Sequence, residues 1–191
     1  MVLLPKTNAN DLQILGRYCL GRILHFSLNT THLICLWSLC PQQFKHRPKG
    51  DGKEIHRVLH NLILKHDNQF PLIVCGDMNS VTLAEHRGPE PHFCDYDRHN
   101  SDLVLLPEAN DFSDALETRF PNHGHFTRSG PATTTAKSST SCLDHFFLNE
   151  AAKQLAPRDS IPTGIAHDAS CYGTDQRCVF LSAPTLHPPQ E

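Results

Sequence analysis

The sequence contains no long hydrophobic run, which sets it apart from membrane-spanning proteins. None of its apolar stretches approaches the roughly 20 residues that a helix needs to cross a bilayer. Residues 1–13 also lack the basic segment followed by an apolar segment that is typical of a secretory signal. We therefore expect a soluble intracellular protein, in the nucleus or cytoplasm, that does not contact membranes.

An excess of positive charge is also missing. The 191 residues include 17 Lys and Arg against 20 Asp and Glu, for a formal net charge of −3. A protein that binds nucleic acid through its global charge is strongly basic, so any binding of DNA has to depend on local chemistry. The length allows one domain with a substantial core and hardly two.

Paired metal-binding motifs are absent from the cysteines and weak among the histidines. The eight cysteines form no CxxC motif, and we expect reduced, partly buried thiols. The most suggestive of the 14 histidines are His56 and His60, one helical turn apart. No acidic third ligand lies nearby, which favours an exposed helix face over a zinc site. A turn is likewise favoured for His123-Gly124-His125.

Hydrophobic periodicity predicts alternating strands and helices. Segments 21–28 and 31–39 read as a hairpin joined at Asn29-Thr30. A helix is predicted at about 53–67, followed by an apolar strand that begins after Pro71. The order of strand, helix and strand is typical of an α/β domain.

The second half of the chain reads as short elements joined by long loops. Asp144 interrupts the apolar strand 142–149, and an acid in such a strand is either paired or functional because an unpaired buried carboxylate is costly. His167-Asp168 is assigned to an exposed loop. The remaining predictions are short helices broken at Pro107 and stopped at Pro121, irregular segments at 80–101 and 127–141, a helix at about 150–155 and a last strand at 178–182. We define residues 21–182 as the domain, with a poorly defined segment 1–20 and a tail 183–191.

The most informative segment is residues 71–80, where a buried-type strand runs into Gly76 and then presents Asp77 and Asn79. Residues two apart in an extended chain point to the same side, so a carboxylate and an amide would project together. The carboxylate can hold Mg²⁺ or orient water, and the amide can donate to a phosphoryl oxygen. The same residues can also be a strand end with local side-chain capping. Both interpretations remain open at this point.

Three segments in order carry a resemblance to a known family. They are GDMN at 76–79, CLDHFFLN at 142–149 and GTDQRCVF at 173–180. Together they resemble the endonuclease/exonuclease/phosphatase superfamily, whose later motifs read approximately GDxN, (S/R)-(L/I)-D-(Y/H)-(I/F) and SDHxxV. The hairpin and the segment FSDALETRFPN at 112–122 add similarity to the endonuclease domains of non-LTR retrotransposons. The resemblance covers about residues 20–182.

This resemblance implies a four-layer αββα sandwich with a metal and phosphate site at one edge of its sheets. Asp77 then matches the acid that positions or activates the attacking water, and Asn79 the amide that binds phosphate. Asp144 matches the acid that orients the catalytic histidine. Asp175 matches the acid of the SDH motif and would share Mg²⁺, or Mn²⁺, with Asp77. The implied substrate is DNA.

The departures from the family pattern predict impaired catalysis. Gln176 stands at the catalytic histidine, and an amide cannot accept a proton at neutral pH or carry positive charge. Leu39 replaces the tyrosine of the hairpin. The chain has no Glu before Glu54, and Asp11 is the only acid among its first 50 residues. The metal-ligand Glu and the first strands of the family domain therefore have no match, and a partner could cover the sheet edge that they leave open.

Neither of two nearby histidines is expected to replace the lost one. His145 should point to the side of its strand opposite Asp144, and His167 belongs to the predicted loop. Three functions follow from the sequence. The first is a Mg²⁺-dependent DNA phosphodiester hydrolase with impaired catalysis, the second is a catalytically dead remnant of a retrotransposon endonuclease, and the third is a phosphate-binding or scaffold module.

Overall fold

A computed structural model of the protein describes residues 11–38, 51–66, 69–83, 86, 88, 101–119, 127–129, 140–155, 163–170 and 177–181. The elements in chain order are β1 (Leu12–Tyr18), a 3₁₀ turn (Cys19–Gly21), β2 (Ile23–Leu28), β3 (Thr31–Trp37), α1 (Asp51–Lys65), β4 (Leu72–Asp77), α2 (Asp102–Glu108), β5 (Ser113–Asp114), α3 (Ala115–Arg119), β6 (Arg128–Ser129), β7 (Thr140–Ser141), β8 (Asp144–Leu148), α4 (Glu150–Gln154), β9 (Thr163–Ser170) and β10 (Arg177–Leu181). Within these ranges no helix has the length and apolar character required to cross a bilayer.

A mixed six-stranded sheet is the centre of the fold. Its strand order is β1-β2-β3-β4-β8-β5, with β3 and β4 parallel and every other neighbouring pair antiparallel. The predicted hairpin at 21–39 is confirmed, and Asn29 in its turn has a positive φ of 53°. The predicted order of strand, helix and strand is confirmed too, since α1 connects parallel strands β3 and β4. The fold class is therefore α/β, as predicted.

Helix α1 covers one face of this sheet with its apolar side. The predicted stripe is buried at Ile55, Leu59, Leu62 and Ile63, while Val58 is half-buried. These side chains join buried residues of the sheet and of α2 in one hydrophobic cluster, whose sheet members are Ile23, Ile34, Leu36, Leu72, Val74 and Phe147. Burial of this stripe stabilises α1 far more than helix propensity does.

The opposite face of the sheet carries a second and smaller cluster. Ile73 and Cys75 of β4 and Leu148 of β8 pack there with residues of α3 and α4. Strand β4 is thus buried on both sides, as its continuous apolar run predicts. Asn149 fastens α4 to this strand, because its Oδ1 accepts hydrogen bonds from the backbone N–H groups of Leu72 and Ala152, both at 2.9 Å.

Gly76 allows β3 and β4 to approach closely before the sheet ends. Its φ is +135°, and a Cβ atom at this position would lie 1.9 Å from the carbonyl oxygen of Leu36. No side chain fits such a gap, because the obstacle is backbone and cannot rotate away. The glycine before Asp77 is therefore a requirement of the sheet itself.

Three strand assignments correct or extend the sequence analysis. Residues 12–18, in the segment predicted to be poorly defined, form β1 and pair with β2 along its length. His167 and Asp168, predicted to lie in a loop, are part of β9, which pairs with the predicted last strand, now β10. The long loop predicted at 127–141 contains a short ladder between β6 and β7.

Two predictions for the second half of the chain are confirmed, and the one for Pro107 is wrong. The predicted strand at 142–149 is confirmed as β8, and the predicted helix at 150–155 as α4. Pro107 lies inside α2 instead of breaking it, and the helix ends one residue later at Glu108. The predicted stop at Pro121 lies outside the described residues.

Candidate functional site

Asp77 and Asp144, both singled out from the sequence, are brought together by the sheet. Asp77 ends β4, Asp144 begins β8, and the two are direct cross-strand partners in the antiparallel ladder. Partners in such a ladder project their side chains from the same face of the sheet. Trp37 pairs with Asp77 from the other side, so a row of Trp37, Asp77 and Asp144 crosses three strands. We name these three residues the acidic row.

Trp37 was not identified from the sequence. It is the only tryptophan in the chain, and its side chain is 51% exposed at the last position of β3. An exposed indole beside two carboxylates offers a surface on which a base or sugar can stack. The signal that could have identified it is the register between parallel strands β3 and β4, which no local pattern in the sequence reveals.

Asn79 follows the acidic row in a tight turn. Its φ is 52°, so the assumption that residues 77–79 are extended is wrong. The carboxylate of Asp77 instead accepts a hydrogen bond from the backbone N–H of Asn79 through Oδ1 at 2.9 Å. The Asn79 amide donates to the carbonyl oxygen of Ser38 at 2.7 Å, and its side chain is almost fully buried. Local capping of the strand end is therefore present.

The capping turn still leaves the predicted chemistry in reach. An amide nitrogen carries two N–H donors, and the bond to Ser38 uses one of them. The turn also holds the backbone N–H of Asn79 against the carboxylate of Asp77. The structure therefore confirms the capping interpretation, and the binding of phosphate by Asn79 stays a prediction.

Asp144 has the environment of a functional carboxylate. Its Oδ2 atom is buried and has no hydrogen-bond partner among the described residues. Burial raises its pKa, while a hydrogen bond to Thr127 and the charge of His145 act in the opposite direction. Thr127 is itself held in place, since its hydroxyl accepts from the backbone N–H groups of Leu143 and Asp144 at 3.0 and 3.2 Å. An orphaned buried oxygen of this kind calls for an explanation, such as a ligand or partner that binds there.

His145 is bound to a different acid, on β5. Its Nδ1 lies 2.6 Å from Oδ2 of Asp114, and both side chains are buried. Burial alone would lower the pKa of His145, but the hydrogen bond and charge of Asp114 outweigh burial and raise it. Asp114 also accepts from the backbone N–H of Leu116 at 2.9 Å. His145 is thus engaged with Asp114, and the expectation that it does not replace the missing histidine stays a prediction.

Several residues predicted from the sequence lie outside the described residues. These are Leu39, the segment His123-Gly124-His125, Asp175 and Gln176. His56 and His60 on α1 are half-buried instead of largely exposed, with ring centroids 6.4 Å apart. Among the described residues Cys19, Cys35, Cys75 and Cys142 form no disulfide, in agreement with the predicted reduced thiols.

The acidic row fits a hard divalent cation. Carboxylate oxygens are the ligands that Mg²⁺ prefers, and Asp77 supplies such oxygens at the end of β4. Histidine and cysteine ligands, which favour zinc, are not part of this row. The donor set therefore suits Mg²⁺ or Mn²⁺.

Comparison with known proteins shows the fold. No family model matches the sequence, and no curated protein matches it. The 3'-5' exonuclease NExo from Neisseria meningitidis superposes with a TM-score of 0.61 at 13% identity, over 91% of this chain and 70% of that chain. NExo from Neisseria, described as a 3' phosphatase and bound to a product DNA hairpin, gives 0.60 at 12% over the same shares. The endonuclease domain of TRAS1, a telomere-specific non-LTR retrotransposon, gives 0.55 at 12%, over 85% of this chain and 62% of that chain. The chain thus has the α/β fold of the endonuclease/exonuclease/phosphatase type, as the sequence resemblance implied.

Proposed function

We propose that the acidic row is the core of a Mg²⁺-dependent phosphodiester hydrolase site that acts on DNA with impaired catalysis. The observation that carries the proposal is the direct pairing of Asp77 with Asp144 at one end of the sheet. The nuclease-like fold supports it, since the similar structures are an exonuclease and an endonuclease domain. The exposed indole of Trp37 beside the acids supplies a surface for nucleic acid.

In this proposal each polar side chain has a defined role. Asp77 orients and activates the attacking water and, with Asp175, holds the metal. When bound, Mg²⁺ stabilises the negative charge that develops on the phosphoryl oxygens. Asn79 donates its second amide N–H to one of those oxygens. Asp144 orients the side chain of Gln176, which donates a hydrogen bond to the phosphate.

The impairment follows from Gln176. Glutamine donates a hydrogen bond but takes up no proton, so the reaction lacks one acid or base group. Such a loss costs roughly 10²–10⁴ in rate. We therefore expect slow cleavage that still depends on Asp77.

The test is nicking of supercoiled plasmid with Mg²⁺ by the purified, folded protein. Asp77→Asn keeps the size of the side chain and should abolish nicking. Asp102→Asn is the matched control, because Asp102 is an exposed acid in the first turn of α2. Gln176→His should increase the rate. Equal nicking by wild type and Asp77→Asn would overturn the proposal.

A second candidate is a protein that binds phosphate esters without cleaving them, either as a dead remnant or as a scaffold module. It is favoured by the bond between Asn79 and Ser38, which already occupies half of the amide's donors. Strand β1, at the sheet edge among the described residues, exposes Leu12 and Ile14 and offers a surface for a partner. Fluorescence of the single Trp37 distinguishes the candidates, because quenching by an oligonucleotide without any nicking would indicate binding alone.

A further inference from the structure

Three histidines that are distant in sequence meet at the other end of the sheet. His25 lies on β2, His32 on β3, and His66 directly after α1. Their possible ligand nitrogens all lie within 4.8 Å of one another. In the antiparallel register His25 faces Ile34 and His32 faces Ser27, so the first two imidazoles are diagonal neighbours on one face. Helix α1 packs over that face and brings His66 to them.

The surroundings of these imidazoles are partly apolar, and one buried ring nitrogen has no hydrogen-bond partner among the described residues. Burial, followed by the nearby charges of His66, His32 and Lys65, lowers the pKa of His25 to about 4. Burial also lowers the pKa values of His32 and His66. The Nε2 atom of His66 is buried and has no hydrogen-bond partner among the described residues. A buried nitrogen without a partner is costly unless something binds it.

We propose that His25, His32 and His66 form a binding site for a transition-metal ion of the zinc class. Tetrahedral zinc with bonds of about 2.0–2.1 Å to nitrogen places two ligand nitrogens about 3.3 Å apart. Nε2 of His25 and Nδ1 of His32 lie 3.1 Å apart, close to that spacing. Three imidazoles are a known zinc donor set, and the fourth position is left to water.

This site is independent of the acidic row. His32 pairs with Leu72 at the start of β4, whereas Asp77 ends the same strand. Five residues of strand separate the two positions by about 17 Å. The ligands are also different in kind, since nitrogen donors select zinc and carboxylate oxygens select magnesium. A metal here would tie the hairpin of β2 and β3 to the end of α1.

The experiment is titration of the purified, reduced protein with Co²⁺, followed by displacement with Zn²⁺. Four-coordinate Co²⁺ gives intense visible d–d bands, so the readout reports coordination and needs no enzymatic activity. Two variants keep the test independent of any one folding defect: His32→Phe on the strand and His66→Gln after the helix. The double variant His56→Gln with His60→Gln is the matched control. It removes two neighbouring histidines of α1 that are not part of the proposed site.

We expect one Co²⁺ per wild-type chain, displaced by Zn²⁺, and an affinity loss of at least about 100-fold in either ligand variant. The control should bind like the wild type, and circular dichroism should show that all variants are folded. Absence of the bands in the wild type would overturn the proposal and leave a hydrogen bond between two rings. Bands that persist in both ligand variants, or vanish in the control, would place the metal elsewhere and overturn it as well.

Discussion

Removal of one charge from the Asp114–His145 pair should destabilise the protein strongly. Asp114→Asn preserves the volume and leaves an oxygen for the backbone bond to Leu116, but it removes the charge 2.6 Å from the imidazole. The two side chains are only 7% and 2% exposed, so solvent cannot replace the lost partner. Loss of one member of a buried pair costs about 3–5 kcal/mol. With a slope near 2 kcal/mol per molar urea, the unfolding midpoint should fall by roughly 2 M.

The stability that the Asp114–His145 pair contributes should decrease as the pH rises. The folded pKa of His145 is raised above the unfolded value of about 6.5, so folding is favoured by protonation. The stability that Asp114 contributes in this way is fully present below about pH 6.5 and is lost as the pH rises through the folded pKa. In Asp114→Asn burial acts without compensation, and the pKa of His145 should fall below its usual value.

Urea unfolding at about pH 6 and about pH 9 tests both parts, with Lys153→Gln as control. Lys153 pairs with Glu150 at 3.3 Å on an exposed helix surface, where such a pair contributes at most about 0.5 kcal/mol. The difference between wild type and Asp114→Asn should be largest at the lower pH. If Asp114→Asn costs no more than the control, or if its cost is the same at both values, the reasoning about this pair is wrong.

Three further substitutions test the close approach and the hydrogen bonds that hold β4 and β8 in place. Gly76→Ala should cost at least about 3 kcal/mol or prevent folding, because its Cβ would lie 1.9 Å from a carbonyl oxygen. The control is Gly21→Ala, which has open space around it and should cost only about 1–2 kcal/mol. Thermal melting measures both. Asn149→Ala loses a helix cap and two more hydrogen bonds, one buried and one partly buried, and should cost about 2–4 kcal/mol in urea. Ser101→Ala, whose side chain makes no cap hydrogen bond, should stay within about 0.5 kcal/mol. Thr127→Val leaves a buried and a partly buried backbone N–H group without their acceptor and should cost about 1–3 kcal/mol. A change below about 0.5 kcal/mol would contradict this.

The parts of the fold with strong local patterns could be predicted from the sequence. The hairpin, α1, β4 and β8 each bury a regular set of apolar residues, and a periodic pattern of this kind identifies the element without tertiary information. Strand β1 was missed because it is largely exposed and gives no such pattern. Strand β9 contains His167 and Asp168, which suggest a loop, and it is a strand because it pairs with β10. Its existence depends on a partner and not on its own composition.

In the candidate site, too, local motifs could be predicted from the sequence and contacts between distant residues could not. Asp77, Asn79 and Asp144 stand in short motifs and could be identified from the chain. The row that joins Asp77 to Asp144 depends on strand register, which is set by packing and turn geometry. The pairing of Asp114 with His145 joins positions 31 residues apart and has no local signal. The histidines at 25, 32 and 66 appear unrelated in the sequence for the same reason.

The strand order has a consequence for how the protein folds. Strands β1, β2 and β3 are joined by short turns, so their ladder requires little loop closure. The ladder around β4 joins distant parts of the chain, as in the bond between Leu72 and Asn149, which are 77 positions apart. Loop closure entropy must be overcome before such contacts contribute, and contacts of this kind slow folding. We therefore expect strands β1, β2 and β3 to form their ladder early and the ladder between β4 and β8, which carries the acids, to assemble last. A newly made chain would then acquire its candidate site only in the final step of folding.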